Sequence, residues 1–206
     1  MTLSMILNWI ILATACIVYG NDDETIYSFT ATNIYGEDVG LDAFRGQVVL
    51  IVNVASKCGY TDKTYKELQQ IYDDLGEDDH FTILGFPCNQ FGNQEPNKEM
   101  AIERFVKEKY DVAFPMFSKV DVIGENAHPL WKHLAKVSAV TPDWNFYKYL
   151  VDHTGRVVRV FPPKIPLWIQ DPQGAYDHIR EYVIEARKYS KKMKAKIVKK
   201  ELRNEL

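Results

Sequence analysis

The sequence predicts a single α/β domain in which a central mixed sheet is flanked by helices. Two apolar runs, VVLIVNV at Val48–Val54 and FTILGF at residues 81–86, have the composition of strands that are buried on both faces. Between them, apolar residues recur at helical spacing from Leu68 to Leu75. A strand, a helix and a second strand imply a parallel pair joined by a right-handed crossover, and 206 residues can bury one substantial core.

The remaining elements follow in order along the chain. Residues 27–33 alternate like a strand, Gly36 supplies a turn, and the helix has Thr61 as its N-cap and ends at Gly76. The other predicted elements are a helix over residues 97–109, a short helix over residues 129–137, a hairpin of residues 146–151 and 157–161, and a last helix that begins near residues 171–172. Strands followed by a terminal hairpin and helix fit a thioredoxin-like fold.

The first twenty residues are predicted to be a targeting segment rather than part of the fold. They contain no Lys or Arg, are almost wholly apolar between residues 4 and 19, and are followed by an acidic run. This pattern is typical of a secretory signal peptide cleaved near Gly20; an uncleaved anchor is the alternative, because a membrane span needs about 17 to 25 residues. Cleavage would remove Cys16 and leave Cys58 and Cys88, which are too few for a disulfide scaffold and better interpreted as candidates for chemistry.

Charge divides the rest of the chain into a domain over residues 21–186 and a basic helical tail over residues 187–206. The tail holds nine of the 25 Lys and Arg residues but only two of the 28 Asp and Glu residues. A solvated helix end is the ordinary interpretation, and contact with anionic lipid or an acidic partner is the alternative. The acidic domain lacks a basic patch interleaved with aromatic residues, so we expect no nucleic-acid binding.

The position of Cys58 predicts a reactive thiol. Cys58 lies just past the carboxyl end of a buried strand and just before a helix, where free backbone N–H groups and the helix dipole stabilise a thiolate. Lys57 and Lys63 act in the same direction, whereas Asp62 opposes them. Thr61 occupies the position where a Cys-x-x-Cys disulfide exchanger has its second cysteine, so the pattern favours attack by a single thiolate on a substrate atom.

Four sequence blocks carry a resemblance to a known family. They are NVASKCGYT (residues 53–61), LGFPCNQFGNQEP (84–96), FPMFSKV (114–120) and WNFYKYLV (144–151). In this order they resemble the glutathione peroxidase family, and most closely its cysteine-type endoplasmic-reticulum members. The resemblance covers about residues 27 to 163.

The resemblance implies an active-site tetrad of Cys58, Gln94, Trp144 and Asn145, with Cys58 as the peroxidatic residue. The implied enzyme is a thiol-dependent peroxidase, active in the response to oxidative stress, that reduces hydrogen peroxide and organic hydroperoxides through a sulfenic acid. Amide and indole N–H groups of the other three residues would orient the peroxide and stabilise the developing negative charge. Without the family, Trp144 would be interpreted as a core aromatic residue, and Gln94 and Asn145 as ordinary loop residues.

The resemblance leaves the fate of the sulfenic acid open. Thioredoxin-dependent relatives carry a resolving cysteine where this chain has Val106. Either a thiol such as glutathione attacks the sulfenic acid directly, or Cys88 resolves it as a disulfide that an external dithiol reduces. The endoplasmic-reticulum relatives pass oxidising equivalents to protein disulfide isomerases, which are therefore expected partners; a buried Cys88 that only packs is the structural alternative.

The ends of the chain and one short segment predict its cellular location and its oligomeric state. The last residues, Arg203 to Leu206, share a final Glu-Leu with the retrieval signal Lys-Asp-Glu-Leu. With the leader, this predicts the endoplasmic-reticulum lumen or secretion. The stretch between Leu130 and Trp144 lacks the insertion through which tetrameric relatives associate, so the resemblance implies a monomer and puts efficient glutathione binding in doubt.

No cofactor is expected beyond the thiol co-substrate. The five His residues show no ligand spacing, and no Gly-rich phosphate loop is present, so we infer no metal, haem or nucleotide. The rival hypothesis is a weakly active thioredoxin-like module that docks a lumenal disulfide isomerase. Such a module would have little use for a complete tetrad.

Overall fold

The computed structural model describes residues 25–167 and 174–204. The predicted leader with Cys16, the predicted start of the last helix at residues 171–172, and the final Glu205 and Leu206 lie outside the described residues. The elements are β1 (Thr30–Thr32), β2 (Asp38–Gly40), β3 (Val48–Val54), α1 (Thr61–Leu75), β4 (Phe81–Pro87), α2 (Glu99–Tyr110), α3 (Pro129–Ser138), β5 (Lys148–Val151), β6 (Val157–Phe161) and α4 (Ala175–Asn204), with short 3-10 helices at Ile26–Ser28 and Leu41–Phe44.

The four-stranded sheet has the order β4-β3-β5-β6 and is mixed, as the sequence predicts. β3 runs parallel to β4, in a register from Val48 opposite Phe81 to Val54 opposite Pro87. β5 is antiparallel to both β3 and β6. All seven residues of β3 and all seven of β4 are buried, because the two core layers cover both faces of these two strands. The carboxyl ends of β3 and β4 meet at one edge of the sheet, and each is followed by a loop that contains a cysteine.

Two core layers cover the two faces of the sheet. The first core layer packs Leu50 and Val52 of β3 against α1, α2 and α4. The second core layer packs Val49 and Ile51 against α3 and the two 3-10 helices. Alternate residues of one strand thus enter opposite layers, as the period-two geometry of a strand requires.

Helix α1 has the predicted bounds, but the prediction of Thr61 as its N-cap is wrong. Tyr60 occupies the cap position without a side-chain cap bond. Thr61 is instead the first helical residue, and its hydroxyl bonds back into the preceding loop. A hydroxyl at a helix start has several backbone groups within reach, so sequence alone does not choose among them.

Two other predicted boundaries move for local reasons. The strand predicted over residues 27–33 is divided into a 3-10 turn and the three-residue β1, because the hydroxyl of Tyr27 donates to His153 O (3.0 Å) and ties this segment to the β5–β6 turn. The hairpin is confirmed, but β5 begins at Lys148, since Phe146 has a φ of +70°. Helix α4 continues through residue 204, so the predicted tail extends the helix that closes the first core layer.

Among the helices of the described ranges, none combines the length and apolar content that a bilayer span requires.

Candidate active site

The loop between β3 and α1 holds Cys58 in a closed turn. The Cys58 N–H donates to Thr61 Oγ1 (2.9 Å), the same hydroxyl donates to Ala55 O (2.7 Å), and Thr61 N–H donates to Cys58 O (3.0 Å). Thr61 stands where a Cys-x-x-Cys disulfide exchanger has its second cysteine, and here its hydroxyl fixes the backbone of the Cys58 loop. Cys58 itself is only 9% exposed, so the loop holds this residue almost wholly inside the protein.

The charge of Asp62, which sequence reasoning expects to oppose a thiolate, is offset by lysines. Asp62 pairs with Lys66 at 2.7 Å and with Lys109 at 3.8 Å. The hydrogen bond from Lys66, with the positive charges of Lys66 and Lys109, lowers the pKa of Asp62. The start of α1 therefore presents less net negative charge to Cys58 than its sequence suggests.

Gln94 lies beside the Cys58 loop and contacts Asn145. The Lys57 N–H donates to Gln94 O (3.0 Å), which ties the two loops together. Asn145 Nδ2 donates to Gln94 Oε1 (2.9 Å), and Asn145 is fully buried. Because the Gln94 oxygen accepts this bond, its amide N–H groups remain the end that can donate to a substrate oxygen. The structure thus joins the Cys58 loop, Gln94 and Asn145 in one hydrogen-bonded arrangement.

The turn that carries Trp144 and Asn145 is fixed by Asn53, a residue that sequence reasoning missed. Asn53 Nδ2 donates to Trp144 O (3.0 Å), Tyr147 N–H donates to Asn53 Oδ1 (2.8 Å), and Phe146 N–H donates to Asn53 O (2.7 Å). Asn53 is fully buried in β3. A polar residue inside the apolar run VVLIVNV was the signal that could have identified it, since a buried amide needs partners.

Trp144 lines a groove that also includes Tyr60, which follows Cys58 by two residues in the loop before α1. Its side chain is 38% exposed, and its ring lies 6.2 Å from that of Phe91. The groove has a volume of about 380 Å³ and is lined by Trp144, Tyr60, prolines, Asp143 and Lys164. An aromatic wall with one acid and one base suits a largely neutral ligand that has apolar surface.

Lys148 secures the opposite wall of this groove, and sequence reasoning missed this residue too. Its ammonium donates to the carbonyls of Pro162 (3.3 Å), Pro163 (3.5 Å) and Ile165 (3.4 Å). It is 1% exposed, and burial lowers its pKa to about 8. A buried lysine with three carbonyl partners holds the loop after β6 in one conformation.

Glu95, the neighbour of Gln94, is the third buried polar residue at the site that sequence reasoning missed. Ser56 Oγ donates to Glu95 Oε2 (2.9 Å), and Glu95 N–H donates to Asn89 Oδ1 (2.8 Å). Burial raises the pKa of Glu95 to about 7. Its place directly after a candidate catalytic residue was the available signal.

Cys88 does not meet Cys58 in this structure. Cys88 is fully buried in the second core layer, whereas Cys58 belongs to the first. Both cysteines are free thiols. The Cys88 N–H donates to Val54 O (3.0 Å), and its sulfur lies 3.6 Å from Gln90 Oε1. Burial raises the pKa of the Cys88 thiol, so this side chain has the character of a packed, neutral thiol.

A mixed sheet flanked by helices, with a free cysteine in the loop between β3 and α1, defines a thioredoxin-like protein. The chain belongs to the glutathione peroxidase family, whose model matches residues 26–135. It is a thiol peroxidase, and its substrates are a peroxide and a thiol reductant.

Similar proteins support this assignment. The chain is 49% identical to "Glutathione peroxidase 7" of Mus musculus, over 77% of this chain and 84% of that protein. It is 48% identical to "Hydroperoxy fatty acid reductase gpx1" of Synechocystis, over 66% of this chain and 86% of that protein. The crystal structure of T. cruzi GPX1 superposes with a TM-score of 0.61 at 28% identity, over 78% of this chain and 97% of that structure. The predicted thioredoxin-like fold is thereby confirmed.

Proposed function

We propose that Cys58 is the peroxidatic nucleophile and that it reduces hydroperoxides through a sulfenic acid. The thiolate sulfur attacks one peroxide oxygen, the O–O bond breaks, and Cys58 becomes a sulfenic acid. The departing oxygen leaves as hydroxide or alkoxide and takes up a proton to give water or alcohol. The observation that carries this proposal is the hydrogen-bonded link from the Cys58 loop through Gln94 to Asn145.

Gln94, Trp144 and Asn145 would stabilise the charge that moves during this attack. The Gln94 amide N–H groups and the Trp144 indole N–H can donate to the thiolate or to the departing oxygen. Asn145 orients Gln94 through the 2.9 Å bond between their side chains. Fixed donors need little reorganisation when charge develops, which is the condition for effective electrostatic stabilisation. No cofactor enters this scheme; the second substrate is a thiol.

The groove beside Trp144 supports a protein dithiol as the reductant. Glutathione carries more than one carboxylate, whereas the charged residues lining the groove are Lys164 and Asp143. Tyr60 and the prolines offer apolar contacts that suit an extended polypeptide segment. A protein disulfide isomerase meets this description, with glutathione as the alternative donor.

The position of Cys88 favours direct reduction of the sulfenic acid by that external thiol. A disulfide between Cys58 and Cys88 would require one of them to leave its core layer. The hydrogen bond from Cys88 N–H to Val54 O of β3 opposes such a movement of Cys88. Resolution by Cys88 therefore needs local opening of the loop after β4.

We place the enzyme in the secretory pathway, as a monomer in the endoplasmic-reticulum lumen or secreted. The support is in the sequence: the apolar leader, the final Glu-Leu and the short segment between α3 and β5. Size-exclusion chromatography with light scattering tests the monomer, and expression with and without the leader tests the location.

The direct test is to oxidise the reduced full-length chain with one equivalent of hydrogen peroxide in a stopped-flow instrument and to identify the product by mass spectrometry. We expect fast oxidation and a sulfenic acid at Cys58, unchanged in Cys88→Ser and abolished in Cys58→Ser. A Cys58–Cys88 disulfide in the wild type would refute the direct route. Oxidation no faster than that of a free thiol would refute the peroxidatic role and favour the docking module, whose partner binding would survive Cys58→Ser.

A further inference from the structure

Helix α4 continues well beyond the domain that it helps to close. The buried side chains of its first part belong to the first core layer. Farther along, Arg187 Nε donates to Asp78 (2.6 Å), and the ring of Tyr189 lies 4.9 Å from that of His153. Every residue from Lys191 to Arg203 is exposed and helical. At about 1.5 Å per residue, this projecting segment extends about 20 Å along the helix axis.

The projecting segment is strongly basic. It holds seven Lys or Arg residues and one acidic residue, Glu201, which gives a net charge of +6. A basic stripe follows one side of the helix at spacings of three and four residues: Lys188, Lys192, Lys196, Lys199 and Arg203. Like charges at these spacings repel one another, so an anionic surface that neutralises them stabilises the helix.

Exposed apolar side chains border the basic stripe on both sides. Tyr189, Met193 and Ile197 each lie one position after a residue of the stripe, and Val198 and Leu202 each lie one position before one. Ile197, Val198 and Leu202 are more than half exposed. Grouped apolar side chains on a surface mark a site of contact with a protein or a membrane. A helix that combines them with many lysines has the composition of one that lies in a membrane interface.

We propose that the projecting segment of α4 binds the surface of an anionic lipid membrane, with the basic stripe against the lipid headgroups and the bordering apolar side chains inserted between them. Charge complementarity favours this occupant, because clustered lysines are attracted to the negative potential of such a surface. Six of the seven basic residues in the segment are Lys. Lysine is a compact point charge that suits a diffuse negative surface, whereas the planar fork of arginine suits paired recognition of a protein carboxylate. Two copies of the segment would repel each other.

The test measures binding of the full-length chain, by sedimentation, to vesicles of phosphatidylcholine alone and of phosphatidylcholine and phosphatidylserine at about 7:3. The predicted leader contains no Lys or Arg, so a preference for the anionic vesicles reports charge elsewhere in the chain. Each lysine near an anionic surface strengthens binding by about fivefold. The stripe variant Lys192→Gln, Lys196→Gln, Lys199→Gln should therefore bind the anionic vesicles about a hundredfold more weakly than the wild type.

The matched control removes the same charge from exposed positions outside α4. Lys98→Gln, Arg104→Gln, Lys136→Gln changes residues before and within α2 and in α3, and it should bind as the wild type does. A second measurement needs no variant. Raising the salt concentration from about 0.1 M to about 1 M shortens the Debye length from about 10 Å to about 3 Å, and it should release the wild type from the anionic vesicles.

The apolar border is tested separately from the charge. Met193→Gln, Ile197→Gln keeps every lysine and should weaken binding to the anionic vesicles by about tenfold or more. Met100→Gln, Val137→Gln removes two exposed apolar side chains from α2 and α3 and is the matched control. Equal binding of the two double variants would overturn the proposed insertion.

Three results would overturn the proposal as a whole. One is equal binding of the wild type to both kinds of vesicle, and another is equal binding of the stripe variant and its control. Either result would favour an acidic protein as the partner. The third is a dimer of the wild type, seen by light scattering at low salt without lipid, that the stripe variant fails to form, since it would assign the segment to a second copy of the chain.

Discussion

Replacing Asn53 by alanine should destabilise the domain and slow peroxide reduction together. The substitution removes the bonds of the Asn53 side chain to Trp144 O (3.0 Å) and Tyr147 N (2.8 Å) and leaves two partly buried backbone groups without their partners. Each unpaired group costs about 1 to 3 kcal/mol, so we expect a loss of about 2 to 6 kcal/mol in the free energy of unfolding. Because the same turn carries Asn145, the rate of Cys58 oxidation should fall by about a hundredfold if the turn moves by about 1 Å.

The assay combines urea denaturation, followed by circular dichroism, with stopped-flow oxidation by hydrogen peroxide. Asn126→Ala is the control, because Asn126 is exposed and its loss should change stability by no more than about 0.5 kcal/mol. The reasoning is refuted if the unfolding free energy of Asn53→Ala lies within about 0.5 kcal/mol of the wild-type value, which is the range expected for a surface substitution. It is also refuted if Asn53→Ala destabilises the domain while the folded variant reacts with peroxide at the wild-type rate. The second result would show that the Asn53 bonds support the fold but not the position of Trp144 and Asn145.

Three further predictions follow from the buried polar groups. Burial lowers the pKa of Lys148 to about 8, so protonation of Lys148 weakens the fold as pH falls from about 10 through 8. In urea denaturation, the wild type should therefore gain stability relative to Lys148→Met as pH rises from 7.5 to 9.5. Parallel plots of unfolding free energy against pH for the two proteins would contradict this. Burial raises the pKa of Glu95 to about 7, so the wild type should lose stability relative to Glu95→Gln as pH rises from about 4 to 7, measured by urea denaturation. A difference in unfolding free energy that stays constant over this pH range would argue against a titrating carboxyl. Thr61→Val removes the hydroxyl that links Cys58 to Ala55, so it should cost about 1 to 3 kcal/mol and slow peroxide oxidation, while Thr61→Ser should behave as wild type; equal rates for both variants would exclude a role for the hydroxyl.

The parts of the fold that local sequence patterns determine could be predicted closely. β3 and α1 have the predicted bounds, because a β-branched run and a helical apolar period are encoded within each segment. The segment over residues 27–33 was predicted less well, since a contact with the distant β5–β6 turn divides it. Tertiary contacts of this kind are not visible in a local pattern.

The candidate active site shows the same difference between features encoded locally and features that depend on tertiary contacts. Cys58 could be proposed from its place between a buried strand and a helix, and the family resemblance supplied Gln94, Trp144 and Asn145. The supporting residues Asn53 and Glu95 were missed, because their partners lie 91 and 39 residues away in the chain. Their roles become apparent only when the structure shows which backbone and hydroxyl groups they satisfy.

Cys88 illustrates what a strand register adds. The sequence left open whether it pairs with Cys58, since both cysteines follow strands whose carboxyl ends meet at one edge. The register of β4 sends Leu84, Phe86 and then Cys88 into the second core layer. One residue of difference in that alternation would have directed the thiol toward the other face.

The most direct test of the central claim is the initial rate of hydrogen peroxide consumption by the full-length chain with a reduced dithiol donor, compared between wild type and Cys58→Ser. The account predicts that Cys58→Ser lowers this rate to the level of the donor alone, while the donor continues to reduce other substrates normally. If Cys58→Ser retains a substantial part of the wild-type rate in a folded protein, peroxide reduction does not depend on Cys58, and the assignment of the peroxidatic residue is wrong.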